Sequence, residues 1–389
     1  MTPSTSFTAP PLVLDAPSKP GAVVVDTPVI LAPMAGVTTA AFRQLCAEQG
    51  AGLYVCEMIT AKALVLGNQK TRDMLVYPEG EKIHSVQIYG VDPVTVGDAV
   101  EICCAEYGVD HLDLNFGCPV RKVTAKGGGG VLPWKLDRFE AIVKSAVSRA
   151  DPYGVPVTVK TRIGIDPDHI TYLDAGKAAE QAGAAAVCLH ARTVAQAYSG
   201  HSDWNYITSM VEALSIPVIG NGDIWEALDA VEMMSQTGCA AVEVGRGCLG
   251  RPWLFRDLAA AMAGRREQLL PNLAQVCQII ERHAQLQAKY MGEAHGMRDF
   301  RKHIAWYLRG FGVGGSLRHE LSLVSSLDEL STLLARLDQN QEYPSNQLGR
   351  PRGRQGTPQR KVAMPDGWLN SRQGCDLDLS DAELDVSGG

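Results

Sequence analysis

The feature that most narrows the fold of this chain is an alternation repeated eight times between residues 29 and 247. Short runs of β-branched and apolar residues are each followed by a longer, Ala-rich amphipathic stretch. The runs are VILAPM (29–34), LYVCEM (53–58), HSVQIYG (84–90), HLDLNFG (111–117), PVTVKTR (156–162), AVCLHAR (186–192), PVIGNGD (217–223) and AVEVGRG (241–247). Helix candidates lie between them, among them 39–49, 94–107, 136–148, 172–182 and 224–234. Nearly continuous apolar strands alternating with helices indicate a parallel sheet covered on both faces. Eight such units predict an α/β fold of the (β/α)8 TIM-barrel type. A doubly wound open sheet is the competing arrangement, but it wants a glycine fingerprint after its first strand. This chain has Ala-Pro-Met-Ala-Gly there, at 32–36.

In such a barrel the active site gathers at the C-terminal ends of the strands. The residues expected there are Pro33, Met34 and Ala35, then Glu57, Gln87, Asn115 with Cys118, and Lys160 with Arg162. His190 with Arg192, Asn221-Gly222-Asp223 and Gly245-Arg246-Gly247 complete the ring. A barrel serving only as structure would not carry polar groups at nearly every strand end, so the pattern predicts a functional mouth. Glycine-rich loops after the last two strands are the common phosphate site of this fold, with Arg246 as a charged donor. Glycines that merely make tight turns are the plainer reading of those loops. Lys160 ends a β-branched run and points into the mouth, where it needs an anionic partner or a role such as a Schiff base. With Arg162, His190 and Arg192 it predicts a cationic pocket.

The stretch DLNFGCPVRKVTAKGGGG (113–130) is the most unusual in the chain. It sets a thiol, Cys118, just past a strand end, followed by Arg121, Lys122 and Lys126 and then four glycines. That is the setting of a reactive cysteine, or else of a buried cysteine in an ordinary strand-to-helix loop. Ten cysteines without a C-x-x-C pair suggest neither a disulfide framework nor a zinc site, and no metal is expected.

Domain boundaries follow from composition. Residues 1–22, rich in Ser, Thr and Pro, are expected to be a disordered extension, and 23–264 the barrel. Beyond 264 the strand pattern stops, and 271–290, 297–310 and 327–337 predict a small helical domain over 265–340. Residues 341–389 are expected to be a disordered tail, basic at Arg350, Arg352, Arg354, Arg360 and Lys361, then acidic at Asp376, Asp378, Asp381, Glu383 and Asp385. No apolar run is long enough to span a bilayer and the start lacks a secretory pattern, so a cytoplasmic location is expected. The net charge of −7 argues against indiscriminate coating of nucleic acid but allows a local basic patch.

The ordered set LAPMAGVT, VQIYG, NFGCP, VKTRIG, HART, GNGDI and VGRGCLGRPW resembles the tRNA-dihydrouridine synthases, flavoenzymes that reduce uridines in tRNA. The likeness runs from about residue 28 to 337 and is nearest to the bacterial B-type branch, through APMAGVT and RKHIAWYLRG. It implies FMN, with Pro33, Met34 and Ala35 along the isoalloxazine edge, Gln87 on a ring heteroatom and Lys160 near the N1/O2 side. Asn221, Gly222, Asp223, Gly245 and Arg246 would bind ribityl and phosphate groups, and His190 would lie close to flavin or uracil. Asn115 and Arg192 would help orient the base. NADPH would be the electron donor, although no second nucleotide fingerprint is apparent. Cys118 would be a neutral general acid that protonates uracil C5 after hydride reaches C6. Arg121, Lys122 and Lys126 would turn toward RNA phosphates, with the glycines as room for the RNA backbone. Ala125 stands where the family often has a basic residue, and neither terminal segment has a counterpart in the shared core.

The segment MRDFRKHIAWYLRGF (297–311) supports the RNA side. Met297, Phe300, Ile304, Tyr307 and Leu308 fall on one helical face, with Arg298, Lys302 and Arg309 roughly opposite and Arg301 beside them. A solvated basic face is the plain reading, and phosphate contact with tRNA the functional one. A stable protein partner is not expected, and the chain is read as a monomer. Two other readings compete: a flavin barrel acting on a free small molecule, and an RNA-binding protein that has lost turnover.

Overall fold

The structure, a computed structural model, describes residues 7–50, 52–353, 361–375, 377 and 379. It opens with an antiparallel hairpin, β1 (Leu12–Ala16) and β2 (Lys19–Val25). The parallel strands follow: β3 (Val29–Leu31), β4 (Leu53–Tyr54), β5 (Ile59–Thr60), β6 (Ser85–Tyr89), β7 (His111–Phe116), β8 (Val157–Arg162), β9 (Ala186–His190), β10 (Val218–Asn221) and β11 (Ala241–Val244). Their spatial order is β4-β3-β11-β10-β9-β8-β7-β6-β5. β4 and β5 are two halves of one barrel strand. Between them Val55 N–H donates to Leu31 O (3.3 Å) and Cys56 N–H to Ser85 O (3.2 Å), which joins β3 to β6. The sheet therefore closes, and the eight expected units form the (β/α)8 barrel.

Register sets the mouth. Lys160 on β8 lies opposite Asn115 on β7 and Cys188 on β9, while Arg162 lies opposite His190. Asn221 on β10 sits opposite both His190 and Glu243.

The hairpin corrects the expectation of disorder through residue 22. β1 alternates buried and exposed positions, so Leu12 and Leu14 face inward with Val23 and Val25 of β2. These four pack with Ile30, Leu53, Ala186, Ile219 and Ala241, at the N-terminal ends of the barrel strands. The hairpin thus plugs the end of the barrel away from the site. The Pro- and Ser-rich composition hid the short period-2 pattern that makes it a strand. Residues 1–6 lie outside the described residues.

Beyond the barrel, helices Leu273–Met291, Glu293–Tyr307, Gly315–Leu323 and Leu327–Leu334 form the helical domain. The expected apolar face of Met297, Phe300, Ile304, Tyr307 and Leu308 is its core. It docks on the barrel helix Ala40–Ala47, where Tyr290 Oη donates to Gln44 Oε1 (2.6 Å) and Arg282 pairs with Glu48 (2.6 Å). At Gly250 (φ +65°) an added Cβ would come within 2.3 Å of the Trp306 carbonyl carbon, so barrel loop and helix meet backbone to backbone.

The described part of the tail is ordered, against expectation. Tyr343 joins the helical core, and buried Arg352 donates to Leu249 O (3.2 Å) and to Tyr343 Oη (3.0 Å). Residues 361–375 return over the barrel. Trp368 is 3% exposed, and its Nε1 donates to Val131 O (3.1 Å). Arg138, also buried, donates to Gly374 O (2.7 Å), Cys375 O (3.0 Å) and Leu377 O, while the Asp137 carboxylate accepts from the N–H groups of Gly374 and Cys375. One tryptophan and a set of backbone hydrogen bonds order a segment whose average composition reads as disordered. Arg354, Arg360 and the acidic residues Asp376, Asp378, Asp381, Glu383 and Asp385 lie outside the described residues. Among the described residues no helix is long and apolar enough to cross a membrane.

The hairpin carries a stability prediction. Leu14 is fully buried and its neighbour Val13 is 43% exposed. Leu14→Ala should cost about 2–5 kcal/mol, read as a lower urea midpoint, and Val13→Ala at most about 0.5 kcal/mol. Equal, negligible effects would mean that the hairpin does not plug the barrel.

Candidate active site

One cleft of about 400 Å³ at the C-terminal end of the barrel is lined by Met34, Gln87, Asn115, Cys118, Lys160, His190, Asn221, Gly222, Asp223, Gly245 and Arg246, among others. Pro33, Ala35 and Arg192 also line it. The strand ends expected to converge do so.

The cysteine loop is built by Asn115. Its Oδ1 accepts the N–H groups of Gly117 (3.2 Å) and Cys118 (3.0 Å), an Asx turn just past β7. Its Nδ2 donates to Gln87 Oε1 (2.7 Å), and Gln87 Nε2 donates to Asp113 Oδ2 (2.7 Å). Asp113 Oδ1 accepts from Thr158 Oγ1 (2.7 Å), which also meets His111 Nε2 (2.9 Å). A hydrogen-bonded thread therefore runs from the barrel interior up to the Cys118 backbone. Arg162 lines the cleft as expected and also ties loops together through Gly117 O (2.7 Å), Thr193 O (3.0 Å) and Ala197 O (3.0 Å).

The four glycines correct a second expectation. They are buried and leave no room for an RNA backbone. An added Cβ would stand 2.6 Å from Trp368 at Gly127, 2.2 Å from Tyr89 Oη at Gly128, 2.6 Å from Cys118 O at Gly129 and 2.4 Å from Val194 at Gly130. The space that they leave is filled by the protein itself, which clamps the Cys118 loop.

Charge in the cleft is set by burial and a few partners. Lys160 Nζ lies 2.6 Å from Glu243 Oε2 and donates to Asn221 Oδ1 (3.2 Å). Burial opposes its charge, yet the carboxylate beside it holds its pKa above the ordinary lysine value. Burial pushes the Asp113 carboxyl up to about 7, against the hydrogen bonds from Thr158 and Gln87. The Cys118 thiol is likewise raised by burial, offset in part by a backbone hydrogen bond at Val120 and by Arg162. His190 is driven well below its usual value by burial and by the nearby Arg162, Lys160, Arg192 and Arg246. It is a neutral imidazole among cations.

The last two loops form a tight cradle. Gly222 (φ +126°) and Asp223 (φ +57°) turn the chain after β10, and Trp204 Nε1 donates to Gly222 O (3.0 Å). A Cβ at Gly222 would meet Ser202 Cβ at 2.8 Å, and one at Gly247 would meet Ile224 O at 2.2 Å. At Gly245 the nearest atoms would be Ala32 Cβ (3.7 Å) and Met34 Sδ (3.8 Å), so its open side faces the cleft. Arg246 lies over the rings of Tyr198 (4.7 Å) and Trp225 (5.1 Å). Asp223 is engaged by Arg192 (2.7 and 2.8 Å) and by Ser202 N–H (2.7 Å), and Arg192 also holds Ser199 O and Gly200 O. Both residues brace this loop and also line the cleft.

Of the residues expected to meet RNA, Arg121, Lys122 and Arg298 are exposed, and Lys126 is half-buried. Arg301 Nε donates to Val324 O (2.7 Å), and Lys302 pairs with Asp299 (2.5 Å). Trp306 lines the cleft, so the helical domain supplies part of its wall. Sequence reasoning missed Glu243, Asp113, Tyr198 and Trp225. The first two had a signal: each is the lone carboxylate of its strand, flanked by apolar residues in AVEV and HLDL.

The family model described as Dihydrouridine synthase (Dus) matches residues 30–343. A Mycobacterium tuberculosis protein named "Probable tRNA-dihydrouridine synthase" is 52% identical over 363 residues, covering 91% of this chain and 93% of its own. A Mycobacterium leprae protein of the same name is 49% identical over 387 residues, covering 92% and 100%. The "tRNA-dihydrouridine synthase B" of Pasteurella multocida is 36% identical over 301 residues, covering 77% and 90%. The chain therefore belongs to the dihydrouridine synthase family.

Proposed function

We propose that this chain reduces the C5=C6 bond of specific uridines in tRNA to 5,6-dihydrouridine, with FMN held in the cleft and NADPH as electron donor. The observation that carries the reading is the meeting of Cys118, Gln87, Lys160, His190 and Arg246 in one cleft. The names of the relatives support tRNA as substrate.

The residues present fit a flavin mononucleotide. Gly245 leaves an open face beside Met34 and Ala32 where a side chain would otherwise intrude. Lys160 and Gln87 offer donors for the electron-rich edge of the ring system, and Arg246 one for the phosphate. Bound there and recharged by NADPH, FMN would supply the hydride that adds to uracil C6. Lys160, fixed by Glu243, is a permanent positive charge at the site of developing negative charge. His190 can make hydrogen bonds to the flavin or uracil without adding a further cation. Cys118 keeps its proton in the cleft and gives it to C5; the thiolate left behind regains a proton from solvent. Hydride at C6 and proton at C5 together complete the saturated ring.

Arg121, Lys122, Lys126 and Arg298 are assigned to tRNA phosphates, with Arg301 and Lys302 closer to the body of the helical domain. The target uracil must leave its stack to reach the cleft.

Cys118→Ala should keep bound flavin, seen by its visible absorbance, while dihydrouridine formation falls about 10²–10⁴-fold. Wild-type turnover would remove Cys118 from the acid role. The pH profile has a defined sign. The protonated thiol is the working form and its pKa is raised, so single-turnover reduction should hold through pH 8 and fall only as the thiol ionises above. A decline that begins near pH 7 would contradict this. Arg298→Glu should weaken tRNA binding and flatten its salt dependence by about one unit of log–log slope, with flavin content unchanged. Unchanged affinity at physiological salt would free Arg298 from that role.

A further inference from the structure

Residues 361–375 lie beyond the 30–343 span of the family match, yet ten of them, 361–370, line a cavity next to the catalytic cleft. This second cavity, of about 910 Å³, lies between the strap they form and the barrel. Its barrel side is made by the residues that follow Cys118 and by the loop after β9. Pro119, Val120 and Tyr198 line both this cavity and the catalytic cleft, so the two compartments join at the Cys118 loop.

We infer that the strap is the outer wall of a nucleotide subsite, which holds the RNA residue adjoining the uridine in the catalytic cleft. The inference rests on tRNA reduction as the activity. A polymer with one unit in the cleft must place a neighbouring unit at its rim, and this cavity is continuous with that rim. Its chemistry suits a nucleotide. Exposed Arg121 on one wall and exposed Lys361 on the other supply positive charge for a phosphate. Met364 and Pro365 offer apolar surface for the face of a base. Asp366 is the carboxylate on the lining, and the two cations outnumber it.

The wall is fixed in place. Trp368 sits against Gly127 and bonds Val131 O, Lys135 Nζ donates to Ser371 O (2.6 Å), and Arg372 pairs with Asp174 (2.9 Å). Such anchoring presents the subsite already formed, which lowers the ordering cost of binding. The half-buried side chains of Val362 and Met364 pack beside Val194 and Trp368.

The test compares the full chain with two variants: Lys361→Glu/Met364→Glu, which leaves the polar anchors at Trp368, Ser371 and Arg372 in place, and a chain ending at Gly353. Three quantities are measured: affinity for an unmodified tRNA transcript, flavin content, and reduction of the flavin by NADPH without tRNA. The double variant should bind the transcript about tenfold more weakly, with a log–log salt slope lower by about 1. Its flavin content and NADPH reaction should match the full chain. The truncated chain should lose at least as much affinity, and if it also loses flavin the double variant decides. Unchanged transcript affinity in the double variant overturns the inference. So does slower NADPH reduction with unchanged transcript binding, which would give the cavity to the nicotinamide dinucleotide. If the full chain neither binds nor reduces tRNA, the functional reading itself fails and this one with it.

Discussion

The ion pair between Lys160 and Glu243 organises the barrel mouth. At 2.6 Å, with both side chains largely out of solvent, each charge is tolerable only because of the other. Asn221 completes the arrangement: its Oδ1 accepts from Lys160, and its Nδ2 donates to Glu243 O (2.7 Å). Removing either carboxylate or ammonium would leave an uncompensated charge in the barrel, at a cost of about 3–5 kcal/mol. The same poor access to water acts oppositely on the groups without such a partner. It keeps the Cys118 thiol protonated and the His190 imidazole neutral. One environment therefore yields a fixed cation, a neutral thiol and a neutral hydrogen-bonding ring within one cleft.

That cleft is shaped by parts of the chain far apart in sequence. The Cys118 loop is hung from Asn115, backed by Arg162 and pressed by Trp368, a residue 250 positions downstream of the cysteine. Trp306 brings the helical domain to the wall, and the contact of Gly250 with the Trp306 backbone holds that domain close. The consecutive glycines 127–130 are where these demands meet. Each lacks a side chain because another protein group occupies the space.

The eight strand units and the residues at their ends were legible because a parallel barrel imposes a repeated pattern on the sequence and gathers one end of every repeat. Asp113 and Glu243 were less so: the pattern marks them as buried, but only the closed ring shows what they face. The hairpin and strap were misread for a shared reason. Leu12, Leu14, Val23 and Val25 are too few to register as a core segment, and Trp368 is one residue in a polar stretch. Their order comes from contacts with distant parts of the chain, to which average composition is blind. Arg192 and Asp223 were visible as site residues, but their mutual pairing, which braces this side of the cleft, was not.

The closure of the barrel has a consequence for how the chain comes together. β3 finds one neighbour soon after it in sequence, but its other neighbour is β11, where Val244 pairs with Leu31 more than two hundred residues upstream. Contacts of that separation form late, because the entropy of closing so long a loop is met before the pairing is gained. Until then β3 and β11 are open sheet edges, the condition in which strands pair with the wrong chain. The slow step in forming this enzyme, and the one most exposed to aggregation, is thus the seam between its first and last barrel strands.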